Sequence, residues 1–531
     1  MKLSRLPLTS STRLIALICV LCLNGQVQLA TAQTNTVTVQ VDRPGAPIPA
    51  TLFGVFFEDI NFGADGGLYP ERVKNRSFEF TDPLMGWRQI DRGGSRGKLT
   101  VLDQDPINDN NSHYLRLEVE EAGKGFGVMN EGFRGIGVQQ GADYAFSMYA
   151  RSVEYARPAD RGPIGLRIEL EDADGKTLSE AKMVDFTPKW KKYTLTIRPS
   201  ATSLKAHLNL LAEGYGALDV DMVSLYPKGT WKNRENGLRS DLVQLLKDMQ
   251  PGFLRFPGGC IVEGRYLETR YQWKRTIGDI TDRRLIINRW NDEFKHRPAP
   301  DYYQSFGLGF YEYFQLSEDI GAQPLPLINC GMACQFNSGQ LVPLDGLDPY
   351  IQDALDLIEF ANGSITSPWG RKRAELGHPA PFNLKMIGIG NEQWGPQFIE
   401  RYALFAKVLK EKYPEIALIS DAGPNPDGER FDFLWAKLRD LKADIVDEHY
   451  YRAPSWFLAN VGRYDNYPRS GPKVFAGEYA AQSVGIASPD NRNNWVCALS
   501  EAAFVTGLER NADVVVMASY APLFAHVDSW Q

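Results

Sequence analysis

Between residues 238 and 523 the chain repeats one alternation, an amphipathic stretch followed by a short apolar run. "LRSDLVQLLKDM" precedes "GFLRFPGG", "GFYEYFQLSEDIG" precedes "QPLPLINCG", and the pattern continues through "LKMIGIGNEQ", "IALISDAG", "ADIVDEHYY", "KVFAGEYAA" and "DVVVMASYAPL". Apolar runs this short and this continuous read as strands buried on both faces, and strands that alternate with helices form a parallel sheet. With "LFGVFFED" counted as the first, eight strands end near Glu58, Arg255, Asn329, Asn391, Asp421, His449, Gly477 and Ala518. Eight such repeats predict a (β/α)₈ barrel. A doubly wound open sheet is the other architecture, less favoured because no Gly-rich phosphate loop follows the first strand.

The texture differs between Phe78 and Pro227. "HYLRLEVEE", "YAFSMYARS", "KKYTLTIRP", "KAHLNLLAEG" and "ALDVDMVSLYP" alternate with period two and are separated by turn residues such as "DADGK". This predicts an antiparallel β-sandwich inserted after the first barrel strand. "TVTVQVD" at 36–42 alternates as a further strand. At the start, Lys2, Arg5 and Arg13 precede the apolar run "LIALICVLCL", and Ala30 and Ala32 follow in an Ala-x-Ala arrangement. That layout is a secretory leader cut after Ala32, and the run is too short for a membrane span. The expected division is leader 1–32, N-terminal and first barrel strands 33–77, sandwich 78–228, and the rest of the barrel 229–531. The expected destination is outside the cytoplasm, periplasmic or extracellular.

A net charge of −7 with no basic stripe excludes nucleic acid as the expected partner. Beyond the leader, Cys260, Cys330, Cys334 and Cys497 are too few for a disulfide framework in so long a chain. Cys330 and Cys334 lack a matching Cys or His pair nearby in sequence, so buried free thiols are expected and neither a metal nor an organic cofactor.

Polar residues gather where the apolar strands stop, and in a barrel those ends share one mouth. Glu392 after the fourth strand and Glu478 in the seventh then face one cleft. Two carboxylates facing one cleft are what glycoside hydrolysis requires, one to protonate the leaving oxygen and one to attack the anomeric carbon or activate water.

At these residues the chain resembles glycoside hydrolase family 51, the α-L-arabinofuranosidases, through "GVFFEDINFGADGGLYPERVKNRSFEF", "LRFPGGC", "IGIGNEQWGP", "DEHYY" and "FAGEYAA". The resemblance implies an exo-acting, retaining enzyme that releases terminal arabinofuranose from plant polysaccharides and oligosaccharides. It implies Glu392 as acid/base and Glu478 as nucleophile, with Glu392 neutral and Glu478 ionised in the free protein. Asn391 and Glu58 would hold sugar hydroxyls. Gly259 and Cys260 would line the pocket, His449 and Tyr451 would attend the nucleophile, and Trp394 and Trp290 would stack on sugar. The sandwich looks like a carbohydrate-binding module, with Trp87 and Trp190 as glycan contacts or core. A further C-terminal β-sandwich, implied by the family, is not carried by the 531 residues, so either a chain truncated there or an absent domain is expected. Homo-oligomers are implied as well. A β-xylosidase or endoglucanase of the same barrel clan, or a glycan-binding protein without activity, are the other readings.

Overall fold

The structure, a computed structural model, describes residues 38–121, 123–153, 162–291, 293, 299–485, 488, 490–524 and 526. The leader lies outside the described residues. Residues 38–45 form no strand, and Val39 and Val41 stand 76% and 88% exposed. The alternation of "TVTVQVD" therefore does not produce a strand there, since an unpaired strand leaves its backbone groups without a ladder.

Eight parallel strands close into a barrel in chain order: Phe53–Phe56, Phe253–Phe256, Gln323–Ile328, Met386–Ile389, Ala417–Asp421, Ile445–Arg452, Lys473–Ala481 and Val515–Tyr520. The first pairs with the second (Val55 opposite Leu254) and with the eighth (Phe53 opposite Ala518), which completes the ring. Phe253, Leu325, Leu327, Met386, Ile419, Phe475 and Met517 fill the interior beneath the strand ends. The helices fall where the amphipathic stretches lie, at Ser240–Asp248, Phe310–Ile320, Asp348–Asn362, Pro396–Lys412, Glu429–Asp440 and Trp495–Arg510. Gly321, with φ +77°, ends the second of these in the left-handed conformation that glycine adopts at least cost. Among the described residues no helix is long and apolar enough to cross a membrane.

Between the first two barrel strands lies the sandwich. One antiparallel sheet has the order Lys191–Ile197, Tyr144–Val153, Gly216–Pro227, Tyr114–Glu121, Arg96–Leu102. The other runs Trp87–Arg92, Gly125–Asn130, Ser203–Glu213, Gly165–Glu171, Thr177–Met183. Their inner faces meet in a core that includes Leu117, Phe126, Phe146, Ile168, Leu210 and Val220. Side chains of Asn108, Asn110 and Asn111 donate to the carbonyls of Thr281 and Asp282 and hold the sandwich to the barrel. Trp87 is buried in the sandwich, its Nε1 donating to the Asn75 carbonyl, and so has no face for glycan. Trp190 is half-buried, edge-on to Tyr114 and beneath the Arg151 guanidinium at 4.6 Å.

Candidate active site

The barrel topology brings the strand-end residues into one buried polar cluster, with Arg255 at its centre. This arginine sits inside the second strand, fully buried. Its Nη1 donates to Asp447 Oδ2 at 3.0 Å, and its Nη2 donates to Asn391 Oδ1 at 2.7 Å and to Glu478 Oε1 at 2.8 Å. A buried guanidinium needs such partners, because breaking a buried pair costs about 3–5 kcal/mol. Sequence reasoning missed Arg255 as a site residue. The signal was a lone charge within the apolar run "FLRF".

Glu392 follows the fourth strand in a left-handed backbone conformation, φ +47°, which costs an ordinary side chain about 1–2 kcal/mol. Such residues persist where the surroundings over-determine them, commonly at functional sites. Its Oε1 lies 2.9 Å from His449 Nδ1 and its Oε2 lies 3.7 Å from Cys260 Sγ. His449 Nδ1 is also 3.8 Å from Glu478 Oε2, and its Nε2 faces Asp447 Oδ2 at 3.2 Å. The imidazole is thus nearer Glu392 than Glu478, the carboxylate it was expected to tune. Oxygens of Glu392 and Glu478 and a nitrogen of His449 all lie within 4.8 Å of one another.

On the sixth strand, Asp447, His449 and Tyr451 take part in the cluster, and Tyr451 donates its hydroxyl to Glu478 Oε2 at 2.9 Å. Glu448 and Tyr450 point the other way, as the period of a strand requires. There Glu448 accepts from Trp435, Tyr450, Tyr464 and Tyr467 behind the barrel wall. Gly259 is the close neighbour of the seventh strand: a Cβ built on it would stand 2.7 Å from Glu478 Oε1 and 3.4 Å from Glu58 Oε2. Glu58 accepts from the Ile261 amide at 3.3 Å and from Trp290 Nε1 at 3.2 Å. Trp290 therefore joins this cluster through Glu58. Trp394 stands apart from the carboxylates. It packs edge-on against exposed Phe336 and under the Arg430 guanidinium at 4.2 Å. Asn391 has its amide shared, its Oδ1 taken by Arg255 and its Nδ2 donating to Glu263 at 3.2 Å.

Opposing effects act on Glu478. Burial pushes its carboxyl above the usual range, His449 and Arg255 pull it down, and Glu392 and Asp447 push it up again. The ionised form that the resemblance implies is therefore held against a burial that sequence alone does not disclose. The charges of His449 and Arg255 are what favour its ionised form. Burial and the charge of Glu478 drive Glu58 up to about 8, so it carries a proton at neutral pH. For His449, burial opposes the charge but Glu478 and Asp447 outweigh it, and the imidazole is held well above its ordinary value. Asp421, at the end of the fifth strand, is raised to about 8 by burial. Cys334 is lowered to about 6 by a hydrogen bond from Cys260 and by the Arg289 guanidinium, against the effect of burial.

Cys260, Cys330, Cys334 and Cys497 are free and buried. Among the described residues, two groups converge closely enough to share a cation: Glu392, His449 and Glu478, and Cys260, Glu263 and Cys334. In the first, Arg255 already supplies positive charge to Glu478.

Comparison with known proteins finds relatives for both the barrel and the sandwich. Residues 245–469 match the family described as "Alpha-L-arabinofuranosidase 1 domain", residues 477–530 its C-terminal domain, and residues 71–212 a carbohydrate binding domain. An extracellular exo-α-L-arabinofuranosidase of Streptomyces chartreusis is 44% identical over 95% of this chain, which spans 59% of that relative's length. α-L-Arabinofuranosidase 1 of Arabidopsis thaliana is 36% identical over 93% of this chain and 70% of its own. The solved structure of an arabinose-bound α-L-arabinofuranosidase of glycoside hydrolase family 51 superposes with a TM-score of 0.79 at 33% identity, over 92% of this chain and 77% of that one.

Proposed function

Because the chain belongs to glycoside hydrolase family 51, the α-L-arabinofuranosidases, we propose that it is an exo-acting, retaining α-L-arabinofuranosidase. Its substrates on this reading are arabinose-containing plant polysaccharides and oligosaccharides. The observation that carries the reading is the convergence of Glu392 and Glu478, with oxygens within 4.8 Å. Retaining glycosidases hold their two carboxyl groups about 5–5.5 Å apart, and inverting ones hold them wider to admit a water.

Glu478 is the nucleophile of this proposal. Arg255 and Tyr451 each occupy one of its oxygens and leave a lone pair for the anomeric carbon. Attack forms a carbon–oxygen bond to Glu478 as the bond to the leaving oxygen breaks, and that oxygen takes the proton of Glu392. His449 occupies Oε1 of Glu392, so Oε2 is the oxygen left to carry that proton. Glu392 then takes a proton from water, the water oxygen displaces Glu478, and arabinose leaves with its anomeric configuration restored. Glu58, neutral, donates to a furanose hydroxyl, and Asn391 offers its second amide hydrogen to another. Gly259, Cys260 and Trp290 wall the pocket, and Trp394 with Phe336 lines a more distant contact for the rest of the glycan.

The leader at 1–32 and the name of the Streptomyces relative support export, and the match at 71–212 supports the sandwich at 78–228 as a glycan-binding module beside the barrel of 229–531. A homo-oligomer belongs to the same proposal. The test is ¹H NMR of the first sugar released from an aryl α-L-arabinofuranoside. The parent should give the α-anomer first and Glu478→Ala should give none while still binding oligosaccharide. Initial release of the β-anomer, or parental turnover by Glu478→Ala, refutes the assignment.

A further inference from the structure

Beside the carboxylate pair lies a second cluster that the proposed reaction does not use as a unit. Cys260 and Glu263 stand three residues apart on the single-turn helix Cys260–Glu263, a spacing that puts both on one face. Cys334 reaches them from the loop after the third barrel strand, although it is distant in sequence. One atom from each, the two Sγ and a Glu263 oxygen, lie within 4.8 Å of one another, and the residues are 7%, 2% and 1% exposed.

We propose that Cys260, Glu263 and Cys334 form a binding site for a thiophilic divalent cation of the Zn²⁺ or Cd²⁺ kind. A tetrahedral zinc site holds sulfur at about 2.3 Å and carboxylate oxygen at about 2.0–2.2 Å. Its ligand atoms are then under about 4 Å apart, a distance that small side-chain rotations reach from here. Two sulfurs select against hard cations such as Ca²⁺ and Mg²⁺. Arg289 Nη2 lies 3.6 Å from Cys334 Sγ and favours the thiolate. Two thiolates and a carboxylate carry three negative charges, which one divalent cation and Arg289 balance. Both oxygens of Glu263 are already oriented, by Gln393 Nε2 at 2.9 Å and Asn391 Nδ2 at 3.2 Å, the outer support that ligating carboxylates usually have. The two loops are tied independently of any cation: the Cys334 amide donates to the Gly264 carbonyl, and Asn329 Nδ2 donates to the carbonyls of Val262 and Glu263.

Occupancy has a consequence for the reaction. Cys260 Sγ is 3.7 Å from Glu392 Oε2. Coordination commits Cys260 Sγ to the cation and removes the thiol from its contact with Glu392 Oε2, the oxygen that carries the proton. A bound cation therefore inhibits. This last step rests on the proposed function, whereas binding itself does not.

The test uses the reduced, metal-free full chain titrated with Cd²⁺ and followed by thiolate-to-cadmium absorption. The parent should bind one equivalent at the cluster, and Cys334→Ser should lose the band and at least a hundred-fold in affinity. Glu263→Gln should lose at least ten-fold, and Cys497→Ser, at a remote buried thiol, should match the parent. In turnover, Cd²⁺ should inhibit the parent and spare Cys334→Ser, whose basal rate is parental. A parent without the band, an unchanged band in Cys334→Ser, or parental affinity in Glu263→Gln overturns the site. Binding without inhibition leaves the site standing and overturns the coupling to Glu392.

Discussion

Replacing Gly259 by alanine should impair the nucleophile without dismantling the barrel. The added Cβ would stand 2.7 Å from Glu478 Oε1, where ordinary contact begins at 3.4 Å, so 3.4 − 2.7 = 0.7 Å must be found. Glu478 has little room to give. Arg255 holds Oε1 at 2.8 Å and Tyr451 holds Oε2 at 2.9 Å, and Arg255 is itself fully buried and tied to Asp447 and Asn391. A misplacement of about 1 Å at a reacting group costs on the order of 10²-fold in rate. A shift of somewhat less should then lower kcat by about 10- to 100-fold, which is about 1.4–2.7 kcal/mol in the barrier. KM should change less, because the Cβ would meet Glu58 Oε2 at 3.4 Å and Asn391 Nδ2 at 3.5 Å, ordinary contacts that leave the groups proposed to hold sugar hydroxyls in place. Steady-state kinetics on an aryl arabinofuranoside, with thermal melting of the same samples, separate the two effects. A folded Gly259→Ala protein with kcat within two-fold of the parent would show that Glu478 is not held where the proposed attack needs it.

Three further outcomes are expected. Tyr451→Phe removes a donor to Glu478 and so raises its affinity for a proton; the acidic limb of the rate profile should move to higher pH, with kcat down about 10-fold. Glu58 rises from 4.5 in the unfolded chain to about 8, so its neutral form is favoured by folding, and stability falls as pH rises from about 4.5 through about 8. Glu58→Gln does not titrate, and denaturant midpoints should find it no more stable than the parent at pH 4 and progressively more stable towards pH 9. Arg255→Met leaves Asp447 and Glu478 buried without their cation, for a loss of about 3–5 kcal/mol at pH 7. That deficit should shrink towards acid pH as Glu478, whose carboxyl burial already pushes above the usual range, takes up a proton, and a deficit independent of pH would contradict the pairing.

Much of this architecture is legible in the amino acids, and the exceptions have physical causes. Parallel barrel strands are buried on both faces, so they stand out as apolar runs, and all eight appear where "LFGVFFED" to "DVVVMASYAPL" place them. The sandwich strands Trp87–Arg92 and Arg96–Leu102 were not distinguished. They read "WRQIDRGGSRGKLTVL", in which glycines and charges interrupt the alternation, and their pairing with Gly125–Asn130 and Tyr114–Glu121 supplies what local pattern does not. The same limit applies to the site. Glu392 and Glu478 could be singled out because each ends or interrupts an apolar strand. Arg255 and Asp447 carry the same signal, a charge inside a buried strand, but a single charge does not name its partner. Cys334 beside Cys260 follows from the barrel closing and from no spacing in the chain. Glu478 above its ordinary value follows from burial, which a sequence does not state.

The central claim is that Glu478 becomes covalently bonded to the sugar while Glu392 handles the proton. Rapid quenching during turnover of an activated aryl arabinofuranoside, followed by peptide mass spectrometry, reads this directly. One anhydropentosyl unit on the peptide that contains Glu478, and none in Glu478→Ala, is the result this account requires. An adduct on the Glu392 peptide, or turnover with inversion and no adduct on either glutamate, contradicts it.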